Sequence, residues 1–193
     1  MSGPSLRGLL GAALALLVGC AAAPPPRDVP PPAAHQHGSP HGHHPAPAAA
    51  GGDVEAKLAE VARAHGGAGP WAVAGYRMGA YALATLGLPR GSFDLEVVHY
   101  TPQEVQYACI ADGASAATGA SVGKLNLSLK EAPAPETRTV YRSKQSGSAV
   151  TLRITSAFAK RFLAVPREQL GSAGREAMQL PDADVFEAVP AAN

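Results

Sequence analysis

The chain has 193 residues, with 16 lysines and arginines against 15 aspartates and glutamates, and a formal net charge of +1. Acidic and basic residues are interspersed through the second half, which excludes the basic patch of a nucleic-acid-binding protein. There are two cysteines, Cys20 and Cys109, so a disulfide within the chain is available only if Cys20 has no other use.

Residues 1–20 carry an early Arg7, an apolar run from Leu9 to Val18 and the tetrad Leu17-Val18-Gly19-Cys20. Parts in this order form an export signal. The apolar run of about ten residues is half the ~20 that a membrane-spanning helix requires. The tetrad matches a lipobox, whose small residues admit the lipoprotein peptidase to the bond before a diacylated cysteine. The expectation is a signal peptide over 1–19 and a mature chain that begins with an acylated Cys20. Several acyl chains, at ~0.8 kcal/mol per buried methylene, make membrane attachment lasting. Ala21 follows the cysteine where Asp would retain the protein at the inner membrane, so an outer-membrane, periplasm-facing lipoprotein is predicted. In that oxidising compartment Cys109 is then the sole free thiol, either a buried core residue or a working group.

Residues 20–52 are almost wholly Ala, Pro, Gly and His. Such a composition has too little large apolar surface to offset the entropy of ordering, which predicts a disordered tether. It holds His35, His37, His41, His43 and His44, five of the seven histidines. Crowded imidazoles suit Zn, Cu, Ni or Co. The alternative is a plain polar spacer.

From Asp53 the pattern changes to helical spacing, with Val54, Leu58, Val61, Ala62 and His65 on one stripe and Asp53 as N-cap. A turn, Gly66-Gly67-Ala68-Gly69, leads to Pro70, a favoured first helical residue. The second helix runs to about Leu86, with Gly75 and Gly79 as close-packing points. A strand is predicted over Phe93–Tyr100, ended by Pro102. An Ala-rich helix over 103–117 carries Cys109 and Asp112. Next comes a strand in which Leu125, Leu127 and Leu129 face one side. Strands near 137–143 and 149–154, then helical segments near 156–164 and 167–177, complete one α+β domain over 53–193. Its helices are expected to pack on a mostly antiparallel sheet.

Two motifs fail on closer reading. Gly119-Ala120-Ser121-Val122-Gly123 fits the G-x-S-x-G pattern, but a nucleophile elbow needs strand then helix, and here the order is reversed. Gly119 to Lys124 lacks the spacing of a P-loop, and Leu125 stands where its Ser/Thr should be.

Two longer stretches carry a family resemblance. One is Ala64-His65-Gly66-Gly67-Ala68-Gly69-Pro70-Trp71 followed by Gly75-Tyr76-Arg77-Met78-Gly79. The other is Tyr107-Ala108-Cys109-Ile110-Ala111-Asp112-Gly113, continued by Thr118-Gly119-Ala120-Ser121-Val122-Gly123-Lys124-Leu125-Asn126. In order and spacing they resemble the FmdE family, named after a subunit of formylmethanofuran dehydrogenase, whose members carry H-G-H-x-[CG]-P, G-Y-R-x-G, C-x-x-D-G and T-G-x-[ST]-x-G-K-x-N. The resemblance spans about 53–165, and the closing Leu180–Phe186 is similar to the family's end. It implies a cavity in which His65 and Cys109 ligate a transition metal, zinc above all, since zinc takes N and S ligands. Asp112, three residues after Cys109, shares its helical face and either ligates or orients His65. Gly67 and Gly69 stand where the family carries a second His and, in some members, Cys, so up to two ligands are missing.

Without a metal, His65 is a helix-terminal core histidine and Cys109 a small buried hydrophobe. Lys124 and Asn126 are candidates to line the same cavity, beside the free amides that open the Pro70 helix, although Lys124 reads equally as a solvent-facing lysine. His99, between valines on a strand, reads as structural. The first functional expectation is a lipoprotein that binds a transition metal or small metal complex, with the histidine tether capturing metal. Alternatives are a thiol- or metal-dependent enzyme or accessory subunit acting on a small molecule, and a core that has lost its metal and binds protein. Oligomeric state is open.

Overall fold

The computed structural model describes residues 50–190. The expected signal peptide, Cys20 and the histidines His35, His37, His41, His43 and His44 lie outside the described residues.

Helix α1 (Ala50–His65) buries Leu58 and Val61, the stripe expected from its spacing. Asp53 is not its cap: the helix reaches back to Ala50, and the Asp53 carboxylate pairs with Lys57 one turn on at 2.6 Å. Helix α2 (Pro70–Leu86) starts on Pro70, with Gly69 in extended backbone as its cap. It ends on Gly87, whose φ of 65° is left-handed and closes the last turn without a Cβ penalty.

Strand β1 (Leu95–Thr101), helix α3 (Val105–Thr118) and strand β2 (Leu127–Glu131) follow. Strands β1 and β2 run parallel, Val97 opposite Leu127, so α3 is the crossover that a parallel pair requires. Strands β3 (Arg138–Ser143) and β4 (Ala149–Ile154) form an antiparallel hairpin on the other side of β1. After α4 (Ser156–Phe162), α5 (Leu170–Gln179) and the short α6 (Asp182–Val185), strand β5 (Phe186–Val189) pairs antiparallel with β4. The sheet order is β2-β1-β3-β4-β5, with three of its four pairings antiparallel. The α+β class expected from the sequence is the class observed.

Two local expectations change. Leu125 is not in a strand: Val122–Lys124 form a 3-10 turn that ends on Leu125 at φ 55°, leaving it 91% exposed. The Ser121 hydroxyl accepts the Lys124 N–H at 3.3 Å and holds this turn, so the strand begins only at Leu127. Strand β5 is absent from the sequence-based expectation, because four residues carry too little alternation to read. Its ladder partner is the open edge of β4.

The seam between α2 and α3 centres the helical layer. A Cβ on Gly75 would overlap the Ile110 carbonyl, and one on Gly113 the Ala72 carbonyl. At Gly79 it would meet the Ala117 methyl at 3.0 Å. Glycine is required here because two backbones pass in contact. The core beneath joins Val73, Met78 and Ile110 to Leu95, Val97, Tyr141 and Leu152 of the sheet.

Candidate metal centre and its clefts

His65 is the last residue of α1, and Gly66, at φ 86°, turns the chain away directly after it. The Gly66 N–H donates to the Ala62 carbonyl at 2.8 Å and closes the helix. The imidazole is thereby presented to α3. Cys109 and Asp112 lie three residues apart on that helix, hence on one face.

The His65 Nδ1 lies 2.8 Å from Asp112 Oδ2. In the tautomer that this bond favours, Nδ1–H donates to the carboxylate and Nε2 keeps its lone pair, with no hydrogen-bond partner among the described residues. This is the arrangement in which a carboxylate orients a metal-binding histidine. Cys109 is half-buried, and burial pushes its thiol above the usual range, with the Asp112 charge adding to the effect. Both effects favour the thiol over the thiolate, and a bound cation would act against them.

Two clefts meet at these residues. The larger, about 680 Å³, runs from the Gly66–Gly69 turn to the start of α5. Its deep surface is Trp71 and Phe162, both buried, and its rim holds Val105, Leu163 and Leu170. The smaller, about 240 Å³, reaches toward β2 and includes Asp112, Val122 and Leu129. His65, Val105 and Cys109 line both and form the ridge between them. The Trp71 indole donates to the Phe162 carbonyl at 2.9 Å and ties α2 to the end of α4. Turned to satisfy both its ends, the Gln106 amide donates to the Leu163 carbonyl at 3.0 Å and accepts from Trp71 at 3.2 Å.

The structure brings His65, Cys109 and Asp112 together and leaves Lys124 and Asn126 elsewhere. Neither lines either cleft. The Lys124 ammonium donates to the Gly119 carbonyl at 2.8 Å and lies 5.6 Å over the Phe93 ring. Asn126 is buried as a brace, accepting from the Ser121 N–H at 3.0 Å and donating to the Leu95 carbonyl at 3.1 Å. His99 is a fully buried brace too: Nε2–H donates to the Tyr107 carbonyl at 3.1 Å, and Nδ1 accepts from the Thr139 hydroxyl at 2.9 Å. Burial pushes its pKa down to about 4. Sequence reasoning missed Gln106, Leu163, Arg167 and Leu170 as cleft residues. Leu170 carried one signal, being a large apolar residue directly after the polar Arg167-Glu168-Gln169.

The donor set decides what metal site these residues fit. Among the described residues no three His, Cys, Asp or Glu side chains are grouped to hold an ion. A closed four-ligand structural zinc site does not fit. The open sites of catalytic zinc keep three protein ligands; His65 Nε2 and the Cys109 sulfur supply two candidate donors, with Asp112 behind the imidazole. A Cβ on Gly67 would meet nothing within 4 Å, and one on Gly69 only the Leu170 side chain at 3.8 Å. The backbone has room for donors at both positions, so their absence is a matter of residue identity alone.

No curated protein matches the chain. The family described as "FmdE, Molybdenum formylmethanofuran dehydrogenase operon" matches residues 64–187, from the end of α1 into β5. The match starts later than the resemblance read from the motifs and runs through the closing segment. It covers well over half of the chain and includes the whole His65–Asp112 site. The chain therefore belongs to the FmdE family.

Proposed function

We propose that this protein is a lipid-anchored envelope protein that binds a transition metal through His65 and Cys109, leaving the other coordination positions to ligands that arrive with the metal. The observation that carries this reading is the 2.8 Å contact of His65 Nδ1 with Asp112, which leaves Nε2 without a partner among the described residues, in clefts that Cys109 also lines. Two protein donors at the junction of two clefts suit a small metal complex better than a bare ion, since a bare ion would lack partners. When bound, the metal supplies Lewis acidity and holds Cys109 as thiolate. The histidines at 35–44 act in this reading as a second, looser store of the same metals. The lipobox at Cys20 supports the address, the cell envelope with the domain facing the periplasm.

Elemental analysis and titration of the full chain with zinc, cobalt and nickel test the reading. The expected result is stoichiometric metal that is lost with Cys109→Ser and kept when His35, His37, His41, His43 and His44 are all replaced by alanine. Metal lost only in the five-histidine variant confines binding to that segment and overturns the core site. For the anchor, mass spectrometry of the membrane fraction should show diacylglyceryl on Cys20, and Cys20→Ala should abolish both the lipid and the attachment.

The same trio favours one further reading, a thiol enzyme in which His65, oriented by Asp112, is the base for Cys109. The raised thiol pKa opposes it. Alkylation of Cys109 by iodoacetamide separates the two: an enzyme requires rapid reaction near neutrality, whereas the metal reading expects reaction only at alkaline pH in the metal-free protein.

A further inference from the structure

Eight large apolar side chains are exposed among the described residues, and five of them converge on the two clefts. Val105 (82% exposed), Leu163 (53%) and Leu170 (37%) rim the larger cleft, and Val122 and Leu129 line the smaller. Isolated surface leucines and valines need no explanation, whereas a concentration around one concavity marks a binding surface. The larger cleft has the volume of a site for a small organic molecule, and its deep wall is aromatic.

Its charge is one-sided. Apart from the titratable His65 and Cys109, the only ionisable lining residue is Arg167, and no carboxylate lines the cleft. Arg167 makes no ion pair among the described residues. Gln106 is spent on Leu163 and Trp71, so it offers little to a ligand. The Gly66–Gly69 turn leaves the wall open, since Cβ atoms on Gly66, Gly67 and Gly171 would meet nothing within 4 Å. An apolar slot with a single fixed positive charge is complementary to one class of molecule.

We propose that the larger cleft binds a small, largely apolar organic anion, its body between Leu163, Leu170 and Val105 over Trp71, and its anionic group at Arg167. This goes beyond the metal reading and needs no metal. Trp71 is the single tryptophan of the chain and lines this cleft, so it is the donor for energy transfer to a probe bound there.

The test is a fluorescence titration of the metal-free full chain with two probes, anilinonaphthalene sulfonate and its uncharged relative N-phenylnaphthylamine. The expected result is saturable binding of one sulfonate probe per chain, with energy transfer from Trp71. Leu163→Asp and Leu170→Asp should each weaken it by about tenfold, a loss of ~1.4 kcal/mol. Both positions are exposed, so the fold is expected to tolerate them. Leu125→Asp, on the exposed 3-10 turn outside the cleft, should change nothing. Arg167→Gln should weaken the sulfonate by about tenfold and the uncharged probe by less than about twofold. Equal losses for both probes, or none, overturn the anionic assignment. Probe binding that survives both Leu→Asp variants, or falls equally in Leu125→Asp, overturns the cleft. Asp112→Asn, outside the larger cleft, should weaken zinc and leave the probe bound, so the failure of either reading is visible without the other.

Discussion

Glycine does opposite work in two neighbouring regions of this molecule. In the seam between α2 and α3, Gly75 and Gly113 are needed because there is no room, a carbonyl of the facing helix standing where a Cβ would be. In the Gly66–Gly69 turn, Gly67 and Gly69 face space, and glycine there leaves a cleft unfilled. Rigid packing against the seam holds α3 in place, and the open turn beside it leaves His65 and Cys109 reachable. One residue type thus marks contact in the seam and open space at Gly67 and Gly69, while the Ala68 carbonyl between them is pinned against Gly174 of α5, where a Cβ would overlap it.

The largest effect should come from closing the seam. Gly113→Ala is expected to destabilise the fold by about 3 kcal/mol or more, since backbone on both sides must shift. Gly75→Ala should act alike, and chemical denaturation measures both. A loss under about 1 kcal/mol would mean that the helices slide apart freely, which breaks the contrast with the turn.

Next comes the buried His99 that braces α3 through the Tyr107 carbonyl. Its pKa is pushed from 6.5 to about 4, so between those values the unfolded chain binds a proton that the folded chain refuses. Stability should therefore fall as pH drops from about 6.5 to about 4, by ~3 kcal/mol in all, and level off below. His99→Gln should lower stability at neutral pH and flatten that slope. An unchanged slope assigns the pH dependence to other groups.

Smaller effects belong to the open region. Asp112→Asn keeps the shape and removes the charge behind His65, and is expected to weaken zinc binding by about 10–100-fold with little change in melting temperature. Gly67→His adds a donor where the backbone already has room, and should tighten zinc by at least about tenfold at a stability change below about 1 kcal/mol. Calorimetric titration reads both. If Gly67→His unfolds the protein, the turn is not open, and the comparison fails at its second half.

Much of this architecture is legible in the sequence because it depends on near neighbours. Helical spacing places α1, α2 and α3, alternation places β1, β3 and β4, and Pro70 after a glycine run marks the start of α2. The pairing of Cys109 with Asp112 follows from three-residue spacing on a helix. The resemblance brings His65 to the same place, 47 positions away from Asp112 in the chain. Lys124 and Asn126 are misplaced by sequence reasoning for a local reason: the Ser121 hydroxyl caps a turn that periodicity reads as strand.

By itself the sequence determined the α+β class and the order of its main elements, since these rest on spacing, and its motifs singled out His65, Cys109 and Asp112 as candidates. Only the tertiary structure decided that α2 and α3 meet backbone to backbone, that β5 completes the sheet and that two clefts share one ridge. It alone placed Leu163, Arg167 and Leu170, from the far end of the chain, around a thiol on α3. A cleft is space enclosed by distant segments, and no local pattern encodes the gap between them.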